Sequence, residues 1–256
     1  MASDLDGTIV RPDGTISRRV RGVLARVEAA GVPLVLVTGR PPRWMAQISE
    51  QTGHRGLAVC ANGALVYDLH TEQVVRSTLL TGEVVAEVAA ALREALPGIA
   101  FAVERADLTF GHEDAYVPGF PWPDRVRGTA EALSGGGVVK LLARHASLGP
   151  DELLARARTT LGERVSLTHS STDGLLEVSA AGITKASGLA GLAEDHGVPA
   201  ADVIAFGDMP NDLPMLSWAG WGVAMGNAHP QVLRAAAETT ASVQDDGVAE
   251  VLERWF

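Results

Sequence analysis

Cysteine is almost missing from this 256-residue sequence: Cys60 is the sole one. No intramolecular disulfide can form and no thiolate zinc site can be built, which fits a reducing cytoplasm. Positive charge is scarce too. Asp and Glu number 31 against 21 Lys and Arg, for a formal net charge of −10. No broad basic surface is therefore available to hold nucleic-acid phosphates, and nucleic acid is excluded as a partner. Long apolar runs are absent: none reaches the roughly 18–20 residues that span a bilayer. The start has no basic region followed by an apolar stretch, so no secretory signal is expected. These absences predict a soluble cytoplasmic protein without a membrane partner. The sequence sets no oligomeric state.

What is present is alternation. Arg18–Ala30 reads as an amphipathic helix with Val20, Val23, Leu24 and Val27 on one face and Gly31 at its stop. Pro33–Val37 is a short continuous apolar run, the pattern of a parallel strand buried on both faces. Towards the end, Ala186–His196 reads as a helix closed by Gly197. Val203–Phe206 and Trp221–Met225 read as buried strands, and Asp212–Ala219 and Pro230–Glu238 as helices. Repeated βα units predict an α/β fold with a doubly wound parallel sheet. The middle differs. Val84–Ala95 and Asp151–Leu161 are helical, and Ile99–Glu104, Val138–Arg144, Arg164–His169 and Leu175–Val178 are strand-like, which predicts an inserted α+β module. Residues 1–81 and 181–256 are assigned to the core and 82–180 to the insert.

Four clusters carry chemistry. Asp4-Leu5-Asp6-Gly7-Thr8 places two carboxylates at i and i+2, on one side of an extended strand, before a glycine that permits a sharp turn. It reads either as an Asp/Gly turn or as a pair of working carboxylates beyond a strand's carboxyl end, where open α/β sheets bind ligands. Gly207-Asp208-Met209-Pro210-Asn211-Asp212 follows the strand Val203–Phe206. Its oxygens suit either a helix cap or a hard cation such as Mg2+. Thr38-Gly39-Arg40 follows another strand and offers either a plain cap or a hydroxyl and N–H groups for a phosphoryl oxygen. Lys185 opens a helix, where its charge opposes the helix dipole; it is either solvated or turned towards an anion.

The order DxDGT, TGR, lysine, GDxxND resembles the haloacid dehalogenase superfamily of phosphohydrolases, and within it the Cof-type or IIB branch. Ala61-Asn62-Gly63-Ala64, Leu176-Glu177-Val178 and Gly222-Val223-Ala224-Met225-Gly226-Asn227-Ala228 extend the likeness over nearly the whole chain. One turn and one helix separate Asp6 from Thr38, whereas a whole domain fits between Thr38 and Lys185. That is where the IIB branch carries its cap. Two features depart from the family pattern: only Met1, Ala2 and Ser3 precede Asp4, so the first strand is clipped or the true start lies upstream, and Ala186 follows the lysine where relatives often have glycine.

The resemblance implies an Mg2+-dependent phosphatase acting on a small phosphorylated metabolite through an aspartyl phosphate. Asp4 is then the nucleophile and Asp6 the general acid and base. Mg2+ is held by Asp4, the Asp6 backbone carbonyl and Asp208, with Asp212 supporting that shell and orienting Lys185. Thr38, Gly39, Arg40, Asn62, Lys185 and Asn211 bind substrate or its phosphoryl group. A sugar phosphomutase of the same fold is the alternative, and a catalytically weak binding protein a more distant one. The insert is expected to set specificity, with Lys140 and His169, besides Arg40 and Arg43, as candidate substrate contacts. The aromatic stretch Arg105–Trp122 reads as a functional loop or a surface excursion, and its His112, Glu113 and Asp114 raise the option of a second metal. His54, His70, His145, His196 and His229 read as surface or capping residues.

Overall fold

The computed structural model describes residues 1–119, 125–171 and 174–256. The chain divides into two compact units, Met1–Arg76 with Thr184–Phe256, and Ser77–Ile183.

The first unit is an eight-stranded sheet. Its strands run in the order Glu238–Thr239, Trp221–Ala224, Ile204–Gly207, Ala2–Ser3, Val35–Val37, Leu57–Cys60, Leu65–Asp68 and Gln73–Ser77. Ala2 and Ser3 pair in parallel with Val35 and Leu36 on one side and with Ala205 and Phe206 on the other. The central strand is therefore only two residues long, and it delivers Asp4 at its carboxyl end. Side chains of successive strand residues point to opposite faces, and Leu36 and Val37 are both fully buried, so the sheet is covered on both sides. Helices Arg18–Ala29, Met45–Thr52 and Gly247–Leu252 pack as one group. Lys185–Asp195, Leu213–Trp218 and Pro230–Ala235 form another, over a core that includes Val37, Val59, Leu189, Met215 and Val232. Helix Arg18–Ala29 is capped by the Ser17 hydroxyl, which accepts from the Val20 N–H, and it buries Val20, Val23, Leu24 and Val27. Helix Pro230–Ala235 is shorter than its sequence pattern, which runs to Glu238: it ends at Ala235, and Glu238–Thr239 pairs with Val223 and Ala224 as an edge strand.

The second unit is a six-stranded sheet in the order Val165–Thr168, Leu175–Ala180, Val138–Arg144, Ala100–Arg105, Phe110–His112 and Arg125–Arg127. Its pairs are antiparallel except the last. Alternation splits its faces. Phe101, Val103, Leu141, Ala143, Leu176 and Val178 join a core with helices Gly82–Ala95, Ala130–Leu133 and Pro150–Leu161. Ala100, Ala102, Phe110, Tyr116 and Leu142 make a smaller cluster, on the face that also carries Glu104, Lys140 and Glu177. The stretch Arg105–Trp122 is not one continuous loop, because Phe110–His112 pairs with both Ala102–Glu104 and Arg125–Arg127; its last three residues lie outside the described residues.

Candidate active site

Asp4 sits where the central strand ends, its N–H donating to the Phe206 carbonyl at 3.0 Å. Lys185, the first residue of helix Lys185–Asp195, is 1 % exposed. Its Nζ donates to Asp4 Oδ1 at 2.5 Å and to Asp212 Oδ1 at 2.6 Å. The anion that its position called for is thus a pair of carboxylates. The other oxygen of Asp212 accepts the Asp208 and Met209 N–H groups at 3.0 and 2.9 Å, so the loop after strand Ile204–Gly207 is wound around its own carboxylate. Gly207 belongs to that winding: a Cβ there would lie 2.5 Å from the Asp212 side chain. Asp208 receives the Thr8 hydroxyl at 3.3 Å. Gly7 turns the chain at φ +80°, and a Cβ on it would lie 2.2 Å from Asp208 Oδ2. Only glycine lets the two acidic loops approach this closely.

The electrostatics follow from burial. Burial lifts the Asp4 carboxyl to about 7; Lys185 opposes that rise, while Asp212 and Asp6 add to it. Burial, with Asp4 and Asp212 as like charges, pushes Asp208 up to about 9. Lys185 is pulled down by burial, but Asp212 and Asp4 more than reverse this and hold it firmly protonated. One lysine faces three buried carboxylates, so negative charge is in excess. Asp4, Asp208 and Asp212 each offer an oxygen within 4.8 Å of the others, the one such group among the described residues. An all-oxygen, over-charged cluster fits a hard divalent cation.

Around the same strand ends lie the neutral groups. Thr38 is fully buried, and its hydroxyl accepts the Arg40 N–H at 3.0 Å. Asn62 is 2 % exposed, and its N–H donates to the Thr38 carbonyl. Its side-chain oxygen accepts from Asn211 Nδ2 at 3.0 Å, which leaves Asn62 Nδ2 and Asn211 Oδ1 buried without a partner. Ala61, Asn62 and Gly63 all have positive φ, at 51°, 57° and 103°. Such strain persists where surrounding structure over-determines it, and here it carries Asn62 up to Asn211. A Cβ on Gly39 would lie 3.0 Å from Asn62 Oδ1. Asp6 departs from the others: its side chain is 57 % exposed and paired with Arg40.

Thr8 and Asn227 had been given no role. Asn227 Nδ2 donates to the Gly7 carbonyl at 2.9 Å, and its oxygen accepts the Val243 N–H, which ties the first acidic turn to a distant loop. The signal was present in the DxDGT threonine and the Gly-Asn-Ala segment. Within the insert, Lys140 pairs with Glu177 and His169 with Asp151. Glu113 pairs with Arg93, Asp114 with Arg127, and His112 Nδ1 lies 2.7 Å from the Glu113 carbonyl. The three residues considered for a second metal thus turn to separate partners. His229 caps helix Pro230–Ala235 as expected. His54 does not lie on the surface: it is 3 % exposed, with Nδ1 2.6 Å from Glu28 Oε1.

Parallel strands whose ends gather three buried carboxylates, two of them held by a buried lysine at the start of a helix, define an α/β enzyme built around acidic side chains. Residues 1–252 match the model of the haloacid dehalogenase-like hydrolases, and the chain belongs to that family. It is 31 % identical to the 5-amino-6-(5-phospho-D-ribitylamino)uracil phosphatase YitU of Bacillus subtilis, over 100 % of this chain and 97 % of that protein. Identity to the HMP-PP phosphatase of Cronobacter sakazakii is 30 %, over 91 % and 85 % of the two chains. The subclass IIB sugar phosphatase BT4131 shares the fold, with a TM-score of 0.82 at 21 % identity over 99 % of this chain and 98 % of that one.

Proposed function

We propose that this chain is a phosphatase for small phosphorylated metabolites that works through an aspartyl phosphate on Asp4 with Mg2+ as cofactor. The observation that carries the reading is Asp4 at the end of the central strand, with Lys185 on one oxygen and Asp208 and Asp212 beside it. Asp4 attacks phosphorus in line, forming a new P–O bond as the ester P–O bond breaks. Asp6 gives a proton to the departing oxygen, then takes one from the water that hydrolyses the intermediate. Lys185, the Thr38 hydroxyl, the Gly39 N–H and the Asn62 Nδ2 donate to the phosphoryl oxygens as charge develops there. The unpartnered Nδ2 of Asn62 supports its place in that set. Asp4, Asp208 and the Asp6 backbone carbonyl would hold Mg2+, which screens the repulsion between the Asp4 carboxylate and the anionic substrate. Asp212, with both oxygens engaged, supports that shell and aims Lys185. The unit Ser77–Ile183 is assigned the role of the specificity-setting cap.

The test is phosphate release from p-nitrophenyl phosphate and from a panel of phosphorylated metabolites, with Mg2+ and with excess EDTA. The reading expects turnover with the metal and none without it. Full activity in EDTA removes the metal from the proposal, and no release from any ester removes the phosphatase. Interconversion of hexose 1- and 6-phosphates with little free phosphate would favour the mutase.

A further inference from the structure

Arg40 holds Asp6 with both arms of its fork: Nε donates to Asp6 Oδ2 at 2.7 Å, and a terminal nitrogen to Oδ1. The two ends of the pair differ. The Arg40 backbone is fixed, its N–H on the Thr38 hydroxyl and its carbonyl accepting the Ala61 N–H at 3.0 Å. Its guanidinium stands at the end of a long side chain, close enough to Asp4 to feel its charge. Asp6, by contrast, is more than half exposed. A carboxylate that accepts from both arms of a guanidinium is fixed in direction by it, so the Asp6 side chain is turned towards Arg40.

We propose that Arg40 is a positioning residue that changes partner: it clamps Asp6 in the free protein, and moves to the phosphoryl group when a phosphomonoester enters. This rests on the phosphatase reading. The same planar fork that fits a carboxylate fits two oxygens of a phosphate, so the substrate competes with Asp6 for one guanidinium. Once released, the Asp6 side chain is free to turn to the leaving oxygen, to which it gives a proton as the P–O bond breaks in the role already assigned to it. It recovers a proton from the hydrolytic water in the second half, returns that proton to solvent and is clamped again as phosphate departs. The acid and base is thus freed only while a phosphoryl group is present.

The direct test is a pair of crystal structures of the full chain with Mg2+, one without anion and one soaked with orthovanadate. The expected result is Arg40 on Asp6 in the first. In the second its guanidinium lies within hydrogen-bond distance of vanadate and has left Asp6. Arg40 still bidentate on Asp6 with vanadate bound overturns the exchange while leaving the phosphatase reading intact. A failure of vanadate to bind at all overturns both. Kinetics supply a second readout. Loss of a charge-assisted contact to the phosphoryl group raises the p-nitrophenyl phosphate KM of Arg40→Ala by about ten- to a hundredfold with kcat nearly unchanged. Arg40→Lys recovers only part of it, since an ammonium keeps the charge and loses the fork. A fall in kcat at constant KM, or full recovery by lysine, would count against the partner exchange.

Discussion

Asp4 and Asp208 show how single side chains set the behaviour of the site. Asp4→Asn keeps the shape but, on the mechanism proposed above, removes the nucleophile and a metal ligand. It should lower turnover by at least 10²-fold, on the order expected for a catalytic group, with the melting temperature little changed; retention of a tenth of wild-type kcat would exclude Asp4 as nucleophile. The raised carboxyls also link metal to pH. Asp208 ordinarily titrates near 3.8 and is pushed to about 9, and Asp4 to about 7. Between those limits the metal-free fold binds more protons than the unfolded chain, so its stability falls as pH rises through the window. A cation reverses this by displacing the protons. The Mg2+-induced rise in melting temperature should therefore be larger near pH 8 than near pH 5.5 in calorimetry. Equal rises would mean the cluster does not carry the metal. At this scale the sequence brought Asp4, Lys185, Asp208 and Asp212 forward through the order of their motifs and its likeness to a known family, since each cluster alone stayed open between two readings. It hid Thr8 against Asp208 and Asn62 against Asn211, since partners so far apart along the chain announce themselves only once folded.

Secondary elements were legible where burial pattern and period agree. Strand Val138–Arg144 and the buried face of helix Arg18–Ala29 emerged as their patterns require. Helix Met45–Thr52 went unread because Met45 and Ile48 alone make a thin apolar stripe among its buried Ser49 and Thr52. The pair Leu57–Cys60 and Leu65–Asp68 is joined by Ala61-Asn62-Gly63-Ala64, whose Asn-Gly is a hairpin signal. It was missed because that segment stood out only as a family motif, and its turn puts alanine and asparagine at positive φ. That turn can be tested. A Cβ on Gly63 would lie 2.1 Å from the Thr184 backbone oxygen, whereas one on Gly14, also at positive φ, meets nothing within 4 Å. Gly14→Ala should cost about 1–2 kcal/mol from backbone strain alone. Gly63→Ala should cost roughly 1–3 kcal/mol more through overpacking. Chemical denaturation of both variants measures the difference, and equal costs would contradict the close approach.

At the scale of the whole molecule, the acidic cluster lies entirely within one of two units. A ligand that binds only the folded form stabilises what it touches by about 2.7 kcal/mol at a hundred times its Kd. Saturating Mg2+ should therefore slow globally exchanging amides of residues 1–76 and 184–256 by up to about a hundredfold. Those of 77–183 should keep their rates; a uniform slowing in hydrogen exchange would show that the two units unfold as one. The strand order has a further outcome in time. Ala2–Ser3 needs Ile204–Gly207 as its neighbour, and Lys185, Asp208 and Asp212 are all made after the unit Ser77–Ile183. During synthesis at ~5–20 residues per second, Asp4 waits on the order of ten seconds on a strand with one edge bare, while Ser77–Ile183 leaves the ribosome complete. A nascent chain thus cannot assemble the acidic cluster until residues 204–212 have emerged, and residues 1–76 are the part that needs shelter from aggregation in the meantime.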